Sequence, residues 1–225
     1  MDFTEEAATA APEEDTSLAN TEVTTKYQEA AKIVNATLAE IIALCVPGAS
    51  VLSICRAGDD SILQKCEMIY RAKKGGKPIE KGISFPVCLS VNECVCHYSP
   101  LATEDTKTLS AGDMVKIDFG CHVDGYIAVV AHTYVVPDEA APGPITGPKA
   151  DVVNAAYAAA EVAARLIKVG NTNKQVTEAM GKVAAAYGVN PIIGTMMHQM
   201  KRYVIDGSKM VMLVEDEATG QRCEE

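Results

Sequence analysis

The sequence predicts a mixed α/β protein in which an antiparallel sheet is flanked by pairs of helices. The first observation is a hairpin in segment 112–136, where apolar residues dominate both arms and Asp124-Gly125 forms a typical two-residue turn. The second is that two helix–stop–helix patterns flank this hairpin, one on each side. The 225 residues are enough to bury a sizeable core in one or two domains.

The net charge of −10 is concentrated at the two ends of the chain. Segment 1–25 is rich in Ala, Thr and Glu and carries no basic residue, so it is predicted to be a disordered acidic tail. Segment 26–214 is the predicted folded domain, and segment 215–225 is an acidic C-terminal end. Because the body is close to neutral, the overall charge neither favours nor excludes a nucleic-acid partner.

Hydropathy and cysteine usage bear on the cellular compartment. The apolar runs are too short and interrupted to cross a bilayer, and the start of the chain lacks the features of a secretory signal. Of the eight cysteines, the most closely spaced are Cys94 and Cys96, and no Cys-x-x-Cys pair occurs. We therefore expect a cytoplasmic protein with no membrane insertion, whose reduced thiols act largely as small core residues rather than in disulfides or a zinc site.

The first helix pair precedes the hairpin. Apolar residues recur at helical spacing from Tyr27 to Cys45, Pro47-Gly48 ends that helix, and a second helix follows over about residues 50–71. Segment 82–100 is then predicted to be a pair of strands.

A basic loop, residues 71–77, separates the second helix from these strands. It is either a solvated connector or a phosphate contact, since clustered cations neutralise nucleic-acid backbone charge without reading sequence. No feature of the chain indicates DNA sequence readout. The cations of this loop are Arg71, Lys73, Lys74 and Lys77.

The hairpin turn fixes which residues face each other. If Asp124-Gly125 is the loop, Asp118 lies opposite Ala131 and Val129 lies two residues nearer the turn. Asp118 and Val129 are then diagonal neighbours on one face, about 7–8 Å apart. Carboxylates at both positions would be able to share a metal ion or a metal pair, but only position 118 carries a carboxylate.

The second half of the chain repeats the first. After a Pro- and Gly-rich loop, helices are predicted over residues 151–168 and 172–187. An offset of 122 residues aligns Pro47-Gly48, which ends the first helix of the first pair, with Val169-Gly170, which ends the first helix of the second pair. This indicates an internal duplication. Strands are expected to begin at residues 191–193 and 198–204, and because the chain ends soon afterwards, the second half is predicted to be incomplete.

Several segments carry a resemblance to a known family. Gly82-Ile83-Ser84-Phe85-Pro86 and the segments 92–100, 115–125 and 198–209 resemble the pita-bread fold of the creatinase/aminopeptidase group, in particular type 2 methionine aminopeptidases. Segment 121–128 and residues 131–133 are more similar to the proliferation-associated (ErbB-binding) proteins, which are understood to lack aminopeptidase activity. The resemblance covers roughly residues 25–212.

The resemblance implies a site for two divalent ions that activate a water molecule, held by two Asp, one His and two Glu. Asp118 matches the first Asp and Val129 the second, while His198 matches the ligand His. Asp206 stands where a second active-site His would lie, and His97 matches a His that helps hold substrate. Both Glu ligands would lie beyond the last residue. We therefore expect a vestigial pocket with no metal cofactor, since at most two ligands remain.

These pocket residues also have structural interpretations. Asp118 in an apolar strand is equally consistent with a polar group that accepts hydrogen bonds from nearby backbone. His97 and His198 are more simply structural residues than ligands.

The function expected from the resemblance is that of a pseudoenzyme acting as a binding protein. It implies association with ribosomes or ribonucleoprotein RNA, protein partners, a cytoplasmic and nucleolar location, and a role in growth and proliferation control. The basic loop is the expected RNA contact. Two alternatives remain: an active metal-dependent methionine aminopeptidase that tolerates Val129, and a truncated interaction fragment without a stable fold of its own.

Overall fold

The computed structural model describes residues 16–72, 77–101, 106–140 and 142–214. Within these ranges it contains two helix pairs, a three-stranded sheet and a short two-stranded sheet, so the predicted α/β class is confirmed. The elements are α1 (Thr21–Leu44), α2 (Val51–Met68), β1 (Lys81–Val91), β2 (Met114–Val123), β3 (Tyr126–Val135), α3 (Pro148–Leu166), α4 (Asn173–Ala186), β4 (Met196–His198) and β5 (Met210–Met212).

Helix α1 already includes residues 21–25, which the sequence pattern assigned to the acidic tail. The side chain of Asn20 accepts a hydrogen bond from the backbone N–H of Glu22 at 3.0 Å and caps the helix. Val23 is 2% exposed, so an apolar side chain in the first turn of α1 is buried in the protein interior and holds this turn in place. Residues 1–15 and 215–225 lie outside the described ranges, so the rest of the predicted tail and the acidic C-terminal end remain predictions.

The larger sheet has the antiparallel order β1-β2-β3. Strands β2 and β3 pair without a register shift, and Asp118 lies opposite Ala131 as predicted. The turn residues Asp124 (φ 56°) and Gly125 (φ 77°) both have positive φ, as a type I′ turn requires. The predicted hairpin and its register are therefore confirmed.

The core lies between this sheet and the first helix pair. Alternate residues of β2, from Val115 to Val123, are buried against α1 and α2, which contribute a stripe of apolar residues each. The opposite face of the sheet, which carries Asp118 and Val129, is consequently the more open one. The buried apolar residues that α1 and α2 contribute to this core are Ala30, Ile33, Val34, Ile41, Val51, Ile54, Cys55, Ile62 and Cys66.

The predicted pair of strands over residues 82–100 is wrong, because only β1 forms there. After β1 the chain turns at Asn92, which has φ 54°. The Asn92 side chain binds Asp113 and the Met114 backbone, at 2.8 and 3.0 Å, and so directs the chain away from a hairpin. Tyr98 returns to β1, where its carbonyl accepts a hydrogen bond from Leu89 N.

The second helix pair forms a separate small core with β5, and the predicted helices over residues 151–168 and 172–187 are confirmed as α3 and α4. The expected strand starts are wrong: β4 is limited to Met196–His198, residues 191–193 form no strand, and Tyr203 (φ 58°) turns the chain within 198–204. No helix in the described ranges is long and apolar enough to cross a membrane. The buried residues of this core are Ala163, Val176, Met180 and Val211.

Candidate functional site

The open face of the sheet places Asp118 beside Val129, as the hairpin register requires. Asp118 on β2 lies opposite Ala131 of β3 on one side and opposite Cys88 of β1 on the other. Val129 lies opposite Gly120 on the same face and is 44% exposed. Its isopropyl group has no atom that can coordinate a cation, so Asp118 has no carboxylate neighbour at this diagonal position.

The surroundings of Asp118 disfavour its charged form. Burial raises the pKa of Asp118, and the electrostatic interaction with His97 opposes that effect only in part. His97 therefore lies close enough to Asp118 to interact with it electrostatically. Its backbone has φ 63°, which is uncommon for a residue other than glycine and places strain beside Asp118.

Cys88, which sequence reasoning did not single out, adds to this environment and interacts with Asp118 on one side and with Asp59 of α2 on the other. Burial, reinforced by the negative charge of Asp118, raises the pKa of Cys88 to about 11. Burial also raises the pKa of Asp59, whose carboxylate accepts a hydrogen bond from Val87 N at 2.9 Å. Neighbouring groups of one sign are costly to ionise together, so the negative charges of Asp118 and Asp59 disfavour the Cys88 thiolate.

His198 and Asp206 lie together in the second half of the chain. Their Nδ1 and Oδ1 atoms are 3.7 Å apart, and the Asp206 side chain is 79% exposed. This exposed carboxylate is thus the partner of His198, whose match to a metal ligand of the aminopeptidases remains a prediction.

The residues present do not fit a two-metal centre. Hard and borderline divalent ions take about four to six donor atoms, and a metal pair needs a carboxylate that bridges both ions. Val129 cannot supply this group. Within the ranges that the structure describes, no group of three or more His, Cys, Asp or Glu side chains is arranged to hold a metal ion.

The basic loop is described only at its two ends. Arg71 is exposed, and its Nε donates a hydrogen bond to the Glu67 carbonyl at 3.3 Å, which extends the end of α2. Lys77 is exposed at the other end, next to β1. Lys73 and Lys74 lie outside the described residues, so the assignment of this loop to RNA binding remains a prediction.

The structure also reveals a polar cluster at the hairpin tip, which we call the hairpin clamp and define as Lys26, Asp124, Arg202 and Tyr203. The Asp124 carboxylate lies 2.5 Å from Lys26 Nζ and 2.7 Å from Arg202 Nη2. Arg202 Nε also donates to the Asp124 carbonyl at 2.9 Å, and Tyr203 N donates to the Gly125 carbonyl at 2.8 Å. The clamp therefore joins α1, the β2–β3 turn and the loop after β4.

Aromatic rings and a glycine complete the hairpin clamp. The Arg202 guanidinium lies 5.3 Å from the ring centroids of both Tyr126 and Tyr203, within cation–π range. A Cβ atom at Gly125 would lie 2.5 Å from the Tyr203 ring, so only glycine allows this approach. Burial alone would raise the pKa of Asp124, but its hydrogen bonds and ion pairs with Lys26 and Arg202 outweigh burial and lower that pKa.

The antiparallel sheet, its two helix pairs and the Asp118 face together define a protein with the aminopeptidase-like pita-bread fold. The model of metallopeptidase family M24 matches residues 25–218, and the chain belongs to this family. ErbB-3 binding protein 1 of Arabidopsis thaliana is 48% identical over 92% of the chain and 51% of that protein. Proliferation-associated protein A of Dictyostelium discoideum is 44% identical over 86% of the chain and 49% of that protein. The resemblance to proliferation-associated (ErbB-binding) proteins is thereby confirmed.

Solved structures show the same fold. A thermophilic Arx1 matches 90% of the chain and 59% of its own length, with a TM-score of 0.82 and 30% identity. Methionine aminopeptidase from Thermotoga maritima matches 92% of the chain and 76% of its own length, with a TM-score of 0.70 and 23% identity. The predicted pita-bread fold is confirmed, and the chain spans about half the length of the curated relatives it matches.

Proposed function

We propose that this chain is a non-catalytic member of its family that works as a binding protein. It associates with ribosomes or ribonucleoprotein RNA and with protein partners in the cytoplasm and nucleolus, in the control of growth and proliferation. The observation that carries the proposal is Val129, a hydrocarbon side chain beside Asp118 where a metal-bridging carboxylate would be needed. Relatives named ErbB-3 binding protein 1 and proliferation-associated protein A support the binding role.

The basic loop supports the RNA contact. It places four cations within seven residues, and both of its described ends, Arg71 and Lys77, are exposed. Cations on an exposed loop bind phosphate groups chiefly by releasing counterions, so such binding is sensitive to salt and tolerant of sequence. In this proposal Arg71, Lys73, Lys74 and Lys77 contact the RNA backbone.

A peptide assay tests the catalytic part of the proposal. Purified chain is incubated with a Met-Ala-Ser peptide and Co²⁺ or Mn²⁺, beside the His198→Ala variant and an active methionine aminopeptidase as positive control. We expect the chain and the variant to release methionine at the same background rate. Release well above that of the His198→Ala variant would overturn the non-catalytic assignment.

A charge-reversal experiment tests the RNA contact. Lys73, Lys74 and Lys77 are changed to Glu, and binding to ribosomes and to ribosomal RNA is measured over a range of salt concentrations. We expect binding to be lost, or its salt slope to fall by about one unit for each phosphate contact removed.

The matched control reverses the same number of charges on exposed lysines of the second helix pair and the loop after β4. Its net charge then equals that of the test variant, and circular dichroism of both variants checks that they are folded. If both variants bind alike, the basic loop is not the RNA contact. The control positions are Lys168, Lys182 and Lys201.

A further inference from the structure

An imidazole accepts the hydrogen bond of Gly125 N at the hairpin tip. In a hairpin with a two-residue turn, the backbone ladder ends at the pair Val123 and Tyr126, so the N–H of Gly125 lies outside the ladder. This N–H donates instead to Nδ1 of His122 at 3.2 Å. Gly125 is buried and His122 is half-buried, so a side chain of β2 satisfies a backbone donor that has little access to water.

Gly125 also connects the turn to the second half of the chain. Its carbonyl accepts a hydrogen bond from Tyr203 N at 2.8 Å, and the Tyr203 ring lies directly against it. The His122 ring lies 6.2 Å from the Tyr203 ring, centroid to centroid. His122 and Tyr203 therefore hold Gly125 through its N–H and its C=O, one from β2 and the other from the loop after β4.

The bond between Gly125 and His122 can exist only while the imidazole is neutral. A neutral imidazole has one donor nitrogen and one acceptor nitrogen, whereas an imidazolium has two donors and no acceptor. A proton on Nδ1 of His122 would place one N–H group against another. The buried N–H of Gly125 would then lose its acceptor, which costs free energy unless the turn rearranges.

The groups around His122 favour the neutral imidazole on balance. Its neighbours in the sheet are the uncharged Gly82 of β1 and Ile127 of β3. The carboxylates that interact with it are those of Glu80, in the loop before β1, and Asp124. Glu80 already accepts a hydrogen bond from the hydroxyl of the clamp tyrosine at 3.0 Å, and Asp124 is paired with both cations of the hairpin clamp. An imidazolium would have to compete with these partners.

Burial sets the direction in which protonation changes the stability of this contact. It lowers the pKa of His122 from the ordinary 6.5, and the charges of Glu80 and Asp124 oppose that effect only in part. The contribution of the neutral imidazole is therefore fully present above pH 6.5 and is lost as the pH falls through the lower folded pKa. The ion pairs of Asp124 persist in this range, because its own pKa lies below 3.8.

We propose that His122 is an acid-sensitive switch whose protonation releases the Gly125 N–H and weakens the attachment of the loop after β4 to the hairpin tip. At neutral pH the imidazole holds the turn in the conformation that Tyr203 binds. In mild acid the imidazole takes up a proton from solvent, and the contact between the two halves of the chain is left to the ion pairs of the hairpin clamp alone. The switch is independent of the proposed RNA contact.

The first measurement is an NMR titration of the imidazole Cε1–H signals in the full 225-residue chain between about pH 5 and 8. The chain has four histidines, so the signal that is missing in His122→Asn belongs to His122. We expect the midpoint for His122 to lie below pH 6.5. A midpoint at or above 6.5 would overturn the proposal, because the folded state would then prefer the protonated imidazole.

The second measurement is the protection of the Gly125 and Tyr203 amides against hydrogen exchange, corrected at each pH for the rate of an unstructured peptide. In wild type we expect both protection factors to fall at least about threefold between pH 7.5 and 5.5, because opening of the contact is coupled to proton uptake. Protection that does not change over this range would overturn the proposal.

Two variants separate the switch from a purely structural role of His122. His122→Asn retains an acceptor that does not titrate, since Oδ1 of Asn and Nδ1 of His are both bonded to Cγ, and we expect it to keep Gly125 protected at both pH values. His122→Phe has no acceptor, and we expect low protection of Gly125 at both pH values. Circular dichroism checks that each variant is folded.

The matched control is His132→Asn, which makes the same substitution at an exposed position of β3, opposite Ile117. It is expected to lose protection in acid as wild type does. A His122→Asn variant that loses protection in acid like wild type would contradict the switch. So would a folded His122→Phe variant that is as protected as wild type, or a His132→Asn variant that abolishes the pH dependence.

Discussion

Arg202 and Asp124 are 78 residues apart in the chain, yet they form a direct ion pair between its two halves. Arg202 Nη2 lies 2.7 Å from the Asp124 carboxylate, and Arg202 Nε donates to the Asp124 carbonyl at 2.9 Å. Lys26 of α1 binds the other carboxylate oxygen. The hairpin turn is thus held from both sides, and the loop that follows His198 is fixed relative to the sheet that carries Asp118.

Removing the charge of Asp124 is expected to destabilise the fold. In Asp124→Asn, Lys26, which is only 5% exposed, loses its carboxylate partner, and unpaired buried charges cost about 3–5 kcal/mol. Because Asp124 is partly solvated, we expect a loss of about 2–3 kcal/mol in the free energy of unfolding measured with urea. A single cooperative transition in the same curves would also argue against the unstable-fragment alternative.

The control for this variant is Glu161→Gln. Glu161 forms an exposed i,i+4 ion pair with Arg165 on α3, at 2.6 Å. Exposed pairs of this kind contribute about 0.3–0.5 kcal/mol. Equal effects of the two substitutions would mean that the hairpin clamp is no more than a surface ion pair.

The hairpin clamp also predicts how stability depends on pH. The pKa of Asp124 is lowered in the folded state from its usual value of 3.8, so the folded protein prefers the ionised carboxylate. The contribution of Asp124 is then fully present above pH 3.8 and is lost as the pH falls through the lower folded pKa. Urea unfolding of wild type and Asp124→Asn is expected to differ at pH 6 and to converge at the acid limit, and a constant difference across this range would contradict the ion-pair explanation.

Asp118 is expected to change stability with pH in the opposite direction to Asp124. Its folded pKa is raised above the usual 3.8, so its contribution is most favourable below pH 3.8 and is lost as the pH rises through the folded pKa. At neutral pH the buried charge is a cost, and Asp118→Asn is expected to raise the free energy of unfolding by about 0.5–1 kcal/mol. The gain should disappear when the comparison is repeated in acid; a clear loss of stability at neutral pH would instead indicate that the ionised carboxylate has a partner.

Substitution of Gly125 is expected to destabilise the fold for two reasons, its positive φ and its close approach to the Tyr203 ring. A substitution at Gly170, which shares only the positive φ, separates the two. Gly125 and Gly170 have φ values of 77° and 87°, so alanine is strained at both positions. Nothing lies within 4 Å of a Cβ at Gly170, whereas a Cβ at Gly125 would meet the Tyr203 ring at 2.5 Å. Thermal unfolding should show Gly125→Ala to be less stable than Gly170→Ala by about 1 kcal/mol or more, and equal values would show that Tyr203 moves aside freely.

The sheet was predictable where local chemistry decides the structure. Asp124-Gly125 suits a type I′ turn, and a two-residue turn leaves one register, so the positions of Asp118 and Val129 followed from the sequence. The strand pair over residues 82–100 was wrong because Asn92 binds Asp113 and Met114, contacts that hydrophobic patterning does not contain.

The hairpin clamp was not predictable for a different reason. Turn chemistry identified Asp124, but nothing in local sequence links it to Lys26 or Arg202, which are 98 and 78 residues away. The strand expected over residues 198–204 was wrong for a related reason, because the chain there turns at Tyr203 to contact the hairpin. Long-range polar contacts of this kind override short apolar patterns.

The most direct test of the central claim is the metal content of the purified chain after exposure to excess Co²⁺ or Mn²⁺ and removal of unbound ions. Because Val129 cannot bridge two cations, we expect less than one tightly held ion per chain, with no difference between wild type and Asp118→Asn. Two ions per chain that are lost in Asp118→Asn would contradict the assignment of this pocket as non-catalytic.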